Sequence, residues 1–163
     1  FLFHANMVEA KGYFYFIKLA KVNPNSNFFM PDYDLVKDFY YKNITFDKKN
    51  WNNGLQEKIY ETKIILCPSF WSANFEGSVL KTMLMGKCCA IIKNVNSFSA
   101  DIPSNSIIKL SGNLKQDSNL LKKKLMNISE IDKIGKNARL WALKYIKDNS
   151  KKETKFLDVF LKG

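Results

Sequence analysis

The chain has 163 residues, of which 46% are hydrophobic and 25% are charged, and its formal net charge is +11. These proportions are typical of one globular domain with a substantial core, and they exclude a disordered chain and a fibrous repeat. No apolar run has the length of a transmembrane helix, and no basic-then-apolar leader is visible. Because the first residue, Phe1, lies within an apolar run, we expect an excised domain of a longer two-domain protein.

The positive charge comes almost entirely from lysine, since Arg139 is the single arginine among 26 basic residues. Proteins that read bases or grip phosphates in a bidentate way depend on arginine, whose planar fork matches those acceptors. The composition therefore favours solvated helix faces over a nucleic-acid partner. A basic surface is also compatible with anionic substrates or peripheral association with an anionic membrane.

Short apolar strands alternate with amphipathic helices along the whole chain. Such repeated units imply right-handed crossovers, so the sequence predicts an α/β fold with a doubly wound parallel sheet of about six strands. The predicted elements are, in chain order, a strand at 1–5, a helix at 10–22, a strand at 27–30, an ambiguous segment at 31–42, a strand at 43–46, a helix from Leu55, a strand at 63–67, a helix at 75–85, strands at 88–92 and 106–110, and helices at 114–126, from Ser129, and at 151–161.

Three buried free thiols are predicted at Cys67, Cys88 and Cys89. Neighbouring strand residues point to opposite faces, so Cys88 and Cys89 are poorly placed to bond to each other. The cysteine spacing and the remote single histidine, His4, do not match a zinc site, so we expect no metal. Free cysteines are typical of a reducing cytosol, and we expect a cytoplasmic protein.

In a doubly wound sheet, ligands bind beyond the carboxyl ends of the strands, which directs attention to the loops at 5–12, 68–78 and 93–103. Lys11 lies where a lysine can reach a phosphate, although it is also compatible with an ordinary surface position. Gly77 and Ser78 fall in the first turn of a helix, where free N–H groups favour an anion. Trp71 is compatible with stacking on a sugar or base and with plugging the sheet edge. His4 is interpreted as a structural residue at the end of a strand.

The order of these features resembles the donor-binding, C-terminal half of a retaining GT-B glycosyltransferase. That family has a G-R-x-x-x-x-K-G loop after the first strand, and this chain reads A-N-M-V-E-A-K-G over residues 5–12. Its later strand ends in P-S, followed by a loop with E-G-F-G and a helix reading L-E-A-M-A-x-G. This chain has Pro68-Ser69, then N-F-E-G over 74–77, then L-K-T-M-L-M-G over 80–86.

The resemblance implies a fold, an activity and a set of site residues. It implies a Rossmann-like, nucleotide-sugar-binding domain over residues 1–163 that needs no cofactor beyond its donor. The implied activity is hexosyl transfer from a nucleotide-diphosphate sugar to a saccharide or lipid acceptor held by a missing N-terminal domain, as in bacterial polysaccharide biosynthesis at the inner membrane face. We expect the 163-residue chain alone to be inactive. The implied site residues are Glu76 as the catalytic residue and Asn6, Lys11, Gly12, Ser69, Asn74, Gly77, Ser78 and Lys81 for substrate binding.

The chain departs from the family pattern at charged positions. Asn6 replaces the arginine of the first loop, and the two family glutamates align with Ala73 and Lys81. Glu76 offers a carboxylate three positions beyond the first of these places. Lys81 cannot accept hydrogen bonds from ribose hydroxyls; it is compatible with contact to the diphosphate instead and with a solvated surface position. The alternatives are a non-catalytic GT-B-like scaffold and a flavodoxin-like binding module.

Overall fold

The computed structural model describes residues 1–5, 8–31, 42–73, 75–94 and 98–149. The segments predicted at 31–42 and 151–161 lie wholly or almost wholly outside these residues, as do the site residues Asn6 and Asn74. Six strands form one sheet, and every neighbouring pair is parallel. The strands are β1 (Leu2–Phe3), β2 (Phe28–Pro31), β3 (Ile44–Asp47), β4 (Ile64–Cys67), β5 (Cys88–Ile92) and β6 (Ile108–Leu110).

The strand order in space is β3-β2-β1-β4-β5-β6, which confirms the predicted doubly wound architecture. The chain builds β1, β2 and β3 in one direction and then returns to place β4 on the other side of β1. Leu2 pairs with Phe29 of β2 on one side and with Ile65 of β4 on the other. The order therefore reverses between β1 and β4, and a crevice at the carboxyl ends of these two strands is the expected ligand site.

Helices cover both faces of the sheet, as the continuous apolar strands require. In the described part of the chain, two 3₁₀ turns, Glu9–Lys11 and Phe98–Asp101, accompany the α-helices. The predicted helix at 10–22 is divided at Gly12, whose positive φ of 81° ends the first 3₁₀ turn before α1 begins. The α-helices among the described residues are α1 (Tyr13–Lys21), α2 (Leu55–Glu61), α3 (Gly77–Leu84), α4 (Leu114–Leu125) and α5 (Ile128–Asn149).

Successive strand residues point to opposite faces and build two separate apolar cores. Phe3 and Leu66 belong to the core beneath α1 and α4, whereas Leu2 and Ile65 belong to the core beneath α2 and α3. The three cysteines are buried within these cores as free thiols. Burial raises the pKa of Cys88 to about 12, so this thiol stays protonated at neutral pH.

Helix α5 contributes to both cores. Ile131 and Ile134 pack in the first core, and Ala138 and Ala142 pack in the second. Between them lies Gly135, where an added Cβ would lie 2.2 Å from the carbonyl oxygen of Gly86. The helix can pass from one face to the other because glycine lets it approach the backbone that leads into β5. Among the described residues, no helix has both the length and the apolar character needed to cross a membrane.

Candidate functional site

A cavity of about 380 Å³ lies at the carboxyl ends of β1 and β4, where the strand order reverses. Its walls come from the end of β1, the turn before α1, the turn before α2, and the start of α3. The lining residues are His4, Ala5, Lys11, Asn50, Trp51, Leu55, Phe75, Glu76, Gly77, Ser78 and Lys81. A larger groove of about 1120 Å³ includes Phe1 and Asn27, which precede β1 and β2, and carries none of the predicted site residues that the structure describes.

Gly12 sets the position of the first loop against the strand at the centre of the site. Its missing Cβ leaves room for the carbonyl of Pro68, because a Cβ built there would lie 2.1 Å from that oxygen. A second link is the backbone bond that the N–H of Phe70 donates to the carbonyl of Ala10, at 2.8 Å. The loops after β1 and β4 are therefore held together by backbone contacts, and Lys11 is carried to the cavity wall.

Lys11 and Glu76 form an ion pair across the site. The ammonium donates to both carboxylate oxygens, at 2.7 and 2.9 Å, although the residues are 65 positions apart in sequence. The side chains are only 17% and 10% exposed, so water screens the pair less than it screens a surface pair. The Lys11 ammonium also lies 5.9 Å from the ring centroid of Trp71, which is itself 60% exposed. Trp71 thus stands at the rim of the site and does not plug the sheet edge.

The start of α3 forms the second charged wall of the cavity. Helix α3 begins at Gly77, and Glu76 is its N-cap residue without a side-chain capping bond. Glu76 turns its carboxylate to Lys11 instead of to the helix. The N–H groups of the first helical turn have no partner within the helix, and Gly77 and Ser78 line the cavity. The positive end of the α3 dipole is therefore directed at the space beside Lys11.

Trp51 lines the cavity wall on the side of α2 and contacts both Lys81 and His4. The ammonium of Lys81 lies 4.4 Å from the centroid of the Trp51 ring, within the range of a cation–π contact. The His4 ring is nearly parallel to the same indole, with an interplanar angle of 9° and a centroid distance of 6.1 Å. Sequence reasoning missed Trp51 and its neighbour Asn50. Their position just beyond the carboxyl end of β3 was the available signal, because that end lies at the same edge of the sheet.

His4 is buried and its tautomer is fixed by α3. Its Nδ1 lies 3.0 Å from Oγ1 of Thr82, and that hydroxyl donates to the carbonyl of Ser78 at 2.8 Å. With its hydrogen used in this way, the Thr82 hydroxyl is left as an acceptor toward His4, and this hydrogen-bond pattern assigns the ring hydrogen to Nδ1. Burial and, secondarily, the charge of Lys81 lower the pKa of His4 to about 4. The imidazole is therefore neutral at physiological pH, with Nδ1 protonated.

Because His4 resists protonation in the folded chain, we expect stability to rise with pH between about 4 and 6.5. In this interval the unfolded chain binds the proton more readily than the folded chain, so acid favours unfolding. The contribution of His4 to the free energy of unfolding is complete above pH 6.5 and is lost as the pH falls to about 4. The total change is about 3 kcal/mol.

This expectation is checked by urea unfolding of the wild type and of His4→Phe at about pH 4.5 and about pH 7. When the pH is lowered, the free energy of unfolding should fall by about 2–3 kcal/mol more in the wild type than in the variant. Equal losses in the two proteins would show that His4 is not the group responsible. Phenylalanine retains an aromatic ring next to Trp51 and removes the titrating nitrogens; the bond to Thr82 is lost at both pH values, so it does not enter the difference between them.

The structure brings most of the predicted site residues to one place. Those that line the cavity are Lys11, Glu76, Gly77, Ser78 and Lys81. Gly12 and Ser69 are not lining residues: Gly12 allows the close approach of the two loops, and the Ser69 hydroxyl accepts a hydrogen bond from the backbone N–H of Trp71 at 3.2 Å. The functional roles of all these residues remain predictions.

Comparison by sequence gave no result, since no protein-family model and no curated protein matches the chain. Comparison of the structure with solved structures found several matches. HepE from Anabaena, solved in complex with UDP, matches 97% of this chain with a TM-score of 0.76 at 13% identity, over 48% of its own length. Sucrose-phosphate synthase from Thermosynechococcus elongatus matches 99% of this chain with a TM-score of 0.77 at 14% identity, over 45% of its own length. A glycosyltransferase from Rickettsia africae matches 99% of this chain with a TM-score of 0.76 at 12% identity, over 48% of its own length.

These matches identify the fold as the Rossmann-like α/β fold of GT-B glycosyltransferases, which confirms the predicted resemblance at the level of the fold. The chain spans about half the length of these three solved structures. HepE has also been solved with UDP-glucose.

Proposed function

We propose that this chain is the donor-binding domain of a glycosyltransferase and that its cavity holds the diphosphate of a nucleotide sugar. The observation that carries the proposal is the convergence of Lys11, Lys81 and the start of α3 on one cavity at the point where the strand order reverses. Two ammonium groups and a helix N-terminus provide a positive field that suits an anion, while a single carboxylate, Glu76, offsets part of it.

The same groups suit the chemistry of sugar transfer. When the bond between the sugar and the diphosphate breaks, negative charge grows on the leaving diphosphate, and fixed positive groups lower the energy of that state. Lys11 and the first-turn N–H groups of α3 would act in this way. Glu76, the predicted catalytic residue, would in this proposal act as a positioning residue, since its carboxylate accepts two hydrogen bonds from the ammonium of Lys11 at the cavity wall.

The wider reaction belongs to the same proposal. The acceptor, a saccharide or a lipid, would be held by a second domain, and transfer would take place in the cleft between the two domains. Such a protein would work at the cytoplasmic face of a bacterial membrane in polysaccharide synthesis. The 163-residue chain alone would then bind the donor weakly and transfer no sugar.

A second candidate is a non-catalytic scaffold with the same fold. The ion pair favours this candidate, because Glu76 already satisfies the ammonium that a phosphate would need. If the donor-binding proposal is correct, a phosphate must share or displace this carboxylate. Glu76→Gln is therefore expected to strengthen the binding of UDP, whereas a scaffold would bind no nucleotide in either form.

The direct test is titration calorimetry of the chain with UDP, GDP and UDP-glucose. We expect dissociation constants of about 1 mM, since half of the enclosing cleft is absent, and a loss of about tenfold in Lys11→Ala, the cost of one charge-assisted hydrogen bond. Lys18→Ala is the matched control, because it removes the same charge from the exposed face of α1. If both variants weaken nucleotide binding equally, the effect of Lys11→Ala comes from the net charge of the chain and not from a contact in the cavity.

Lys81→Glu extends this test to the other cavity wall. If Lys81 faces the diphosphate, the charge reversal should weaken binding by more than the neutral variant Lys81→Met, while the folding stability of the two variants stays similar. Unchanged or tighter UDP binding in Lys81→Glu would remove Lys81 from the anion site. No heat with any of the three nucleotides, from wild type or from Glu76→Gln, would favour the scaffold.

A further inference from the structure

His4 combines two features that point beyond a structural role. It is buried, and it is nevertheless one of the residues that line the cavity. Its Nδ1 faces Thr82, a fully buried residue that is not part of the lining. Nε2 is the ring nitrogen that is not directed at Thr82, so a hydrogen bond between this imidazole and a ligand in the cavity would involve Nε2.

The surroundings of the ring decide what Nε2 can do. Because Thr82 already donates to the carbonyl of Ser78, it holds the hydrogen of His4 on Nδ1. A neutral imidazole with Nδ1 protonated has a lone pair on Nε2 and is a hydrogen-bond acceptor there. The ammonium of Lys81, on the face of the neighbouring Trp51, opposes protonation of the ring.

We propose that Nε2 of His4 accepts a hydrogen bond from a hydroxyl group of the nucleotide sugar that occupies the cavity. This inference rests on the proposed function. An acceptor repels phosphate oxygens, so its partner must be a donor group, and hydroxyls are the most numerous donors of a nucleotide sugar. The cavity then has two chemically distinct parts, with Lys11 and α3 directed at the anion and His4 directed at a hydroxyl.

The first test follows the imidazole itself by nitrogen-15 NMR. His4 is the single histidine of the chain, so its ring gives one pair of nitrogen resonances without further assignment. In the free chain we expect Nδ1 protonated and Nε2 unprotonated. Addition of UDP-glucose should shift Nε2 toward the values of a hydrogen-bonded acceptor. A ring protonated on Nε2, or an Nε2 resonance that stays fixed while the ligand binds, would overturn the proposal.

The second test separates the two edges of the ring. In His4→Asn the side-chain amide can still donate to Thr82, as Nδ1 does, but nothing reaches the cavity. In His4→Gln the longer side chain can offer its carbonyl near the place of Nε2. We expect UDP-glucose affinity to fall about fivefold in His4→Asn, the size of one neutral hydrogen bond, and to recover largely in His4→Gln. A purely structural role for His4 predicts the reverse order and would overturn the proposal.

The choice of ligand identifies the hydroxyl. A loss in His4→Asn that is equal for UDP and UDP-glucose, and that disappears with the 2′,3′-dideoxy form of UDP, assigns the bond to the ribose, and a loss confined to UDP-glucose assigns it to the transferred sugar. If the loss persists with the 2′,3′-dideoxy form of UDP, the donor is the base, and the hydroxyl proposal is wrong. If wild type binds no nucleotide, the proposed function itself fails. If wild type binds and Nε2 does not respond, only this inference fails.

Discussion

Replacement of Gly12 by alanine is expected to lower the free energy of unfolding strongly. The added Cβ would lie 2.1 Å from the carbonyl oxygen of Pro68; that oxygen belongs to the backbone and the backbone fixes the position of the Cβ, so neither atom can rotate away. The left-handed conformation, with φ at 81°, adds about 1 kcal/mol for any residue with a Cβ. We expect a total loss of at least about 4 kcal/mol, which places this change among the exceptional substitutions. Urea or thermal unfolding measures the loss.

Gly86→Ala is the matched control for this change. Gly86 also has a left-handed φ of 70°, but the nearest atom to an added Cβ is 3.8 Å away. Gly86→Ala should therefore lower the free energy of unfolding only by the cost of the left-handed conformation, about 1 kcal/mol. Similar losses for the two variants would show that the contact with Pro68 adds nothing. If Gly12→Ala folds at all, its nucleotide binding should be weaker, since the loop that carries Lys11 must move.

The second large effect is expected at Asp117, near the start of α4. This carboxylate is 2% exposed and accepts four hydrogen bonds. One oxygen accepts from the N–H and hydroxyl of Ser111 at 2.8 and 2.9 Å, and the other accepts from the N–H of Gly112 at 2.8 Å and from the hydroxyl of Tyr15 at 2.7 Å. The carboxylate thus joins α1, α4 and the loop after β6 at the sheet edge that holds the candidate site.

Asp117→Asn keeps the shape of the side chain but directs an NH₂ group at two donors. We expect a loss of about 3 kcal/mol or more, because buried donors that lose an acceptor pay their full desolvation cost. Tyr15→Phe removes one of the four donors and should cost only about 1 kcal/mol. In the double variant the losses should be less than additive, since Tyr15 and Asp117 share a bond. Full additivity, or a loss below about 1 kcal/mol for Asp117→Asn, would contradict this account.

The fold was predictable from the sequence because its signals are local. The continuous apolar run of β4, which begins with the β-branched Ile64 and Ile65, and the alternation of strands with amphipathic helices indicate a parallel sheet covered on both faces. The division of the first helix was not predicted. The lysine before Gly12 and the aromatic residues after it read as one helical pattern, whereas the structure interrupts the helix at Gly12, which has a φ of 81° and lies against Pro68, a residue distant in sequence.

The candidate site was predictable only in part. The family resemblance pointed to Lys11, Glu76 and Lys81, and all three line the cavity. It treated them as separate ligand contacts, however, and the ion pair between Lys11 and Glu76 was not foreseen. Spacing along the chain predicts which loops share an edge of the sheet, but not which side-chain ends meet across it. For the same reason the bond from His4 to Thr82, 78 positions away, left no trace in the sequence.

The path of α5 has a consequence for how the chain opens. Its first half is packed in one core and its second half in the other, with Gly135 at the crossing. If the helices on one face of the sheet separate from it, α5 must move as well, and α5 also packs in the core on the other face. The backbone amides around the two cores should therefore exchange their hydrogens in one cooperative opening, because the two cores do not unfold independently. A ligand that binds near α3, on one face, would then slow hydrogen exchange on both.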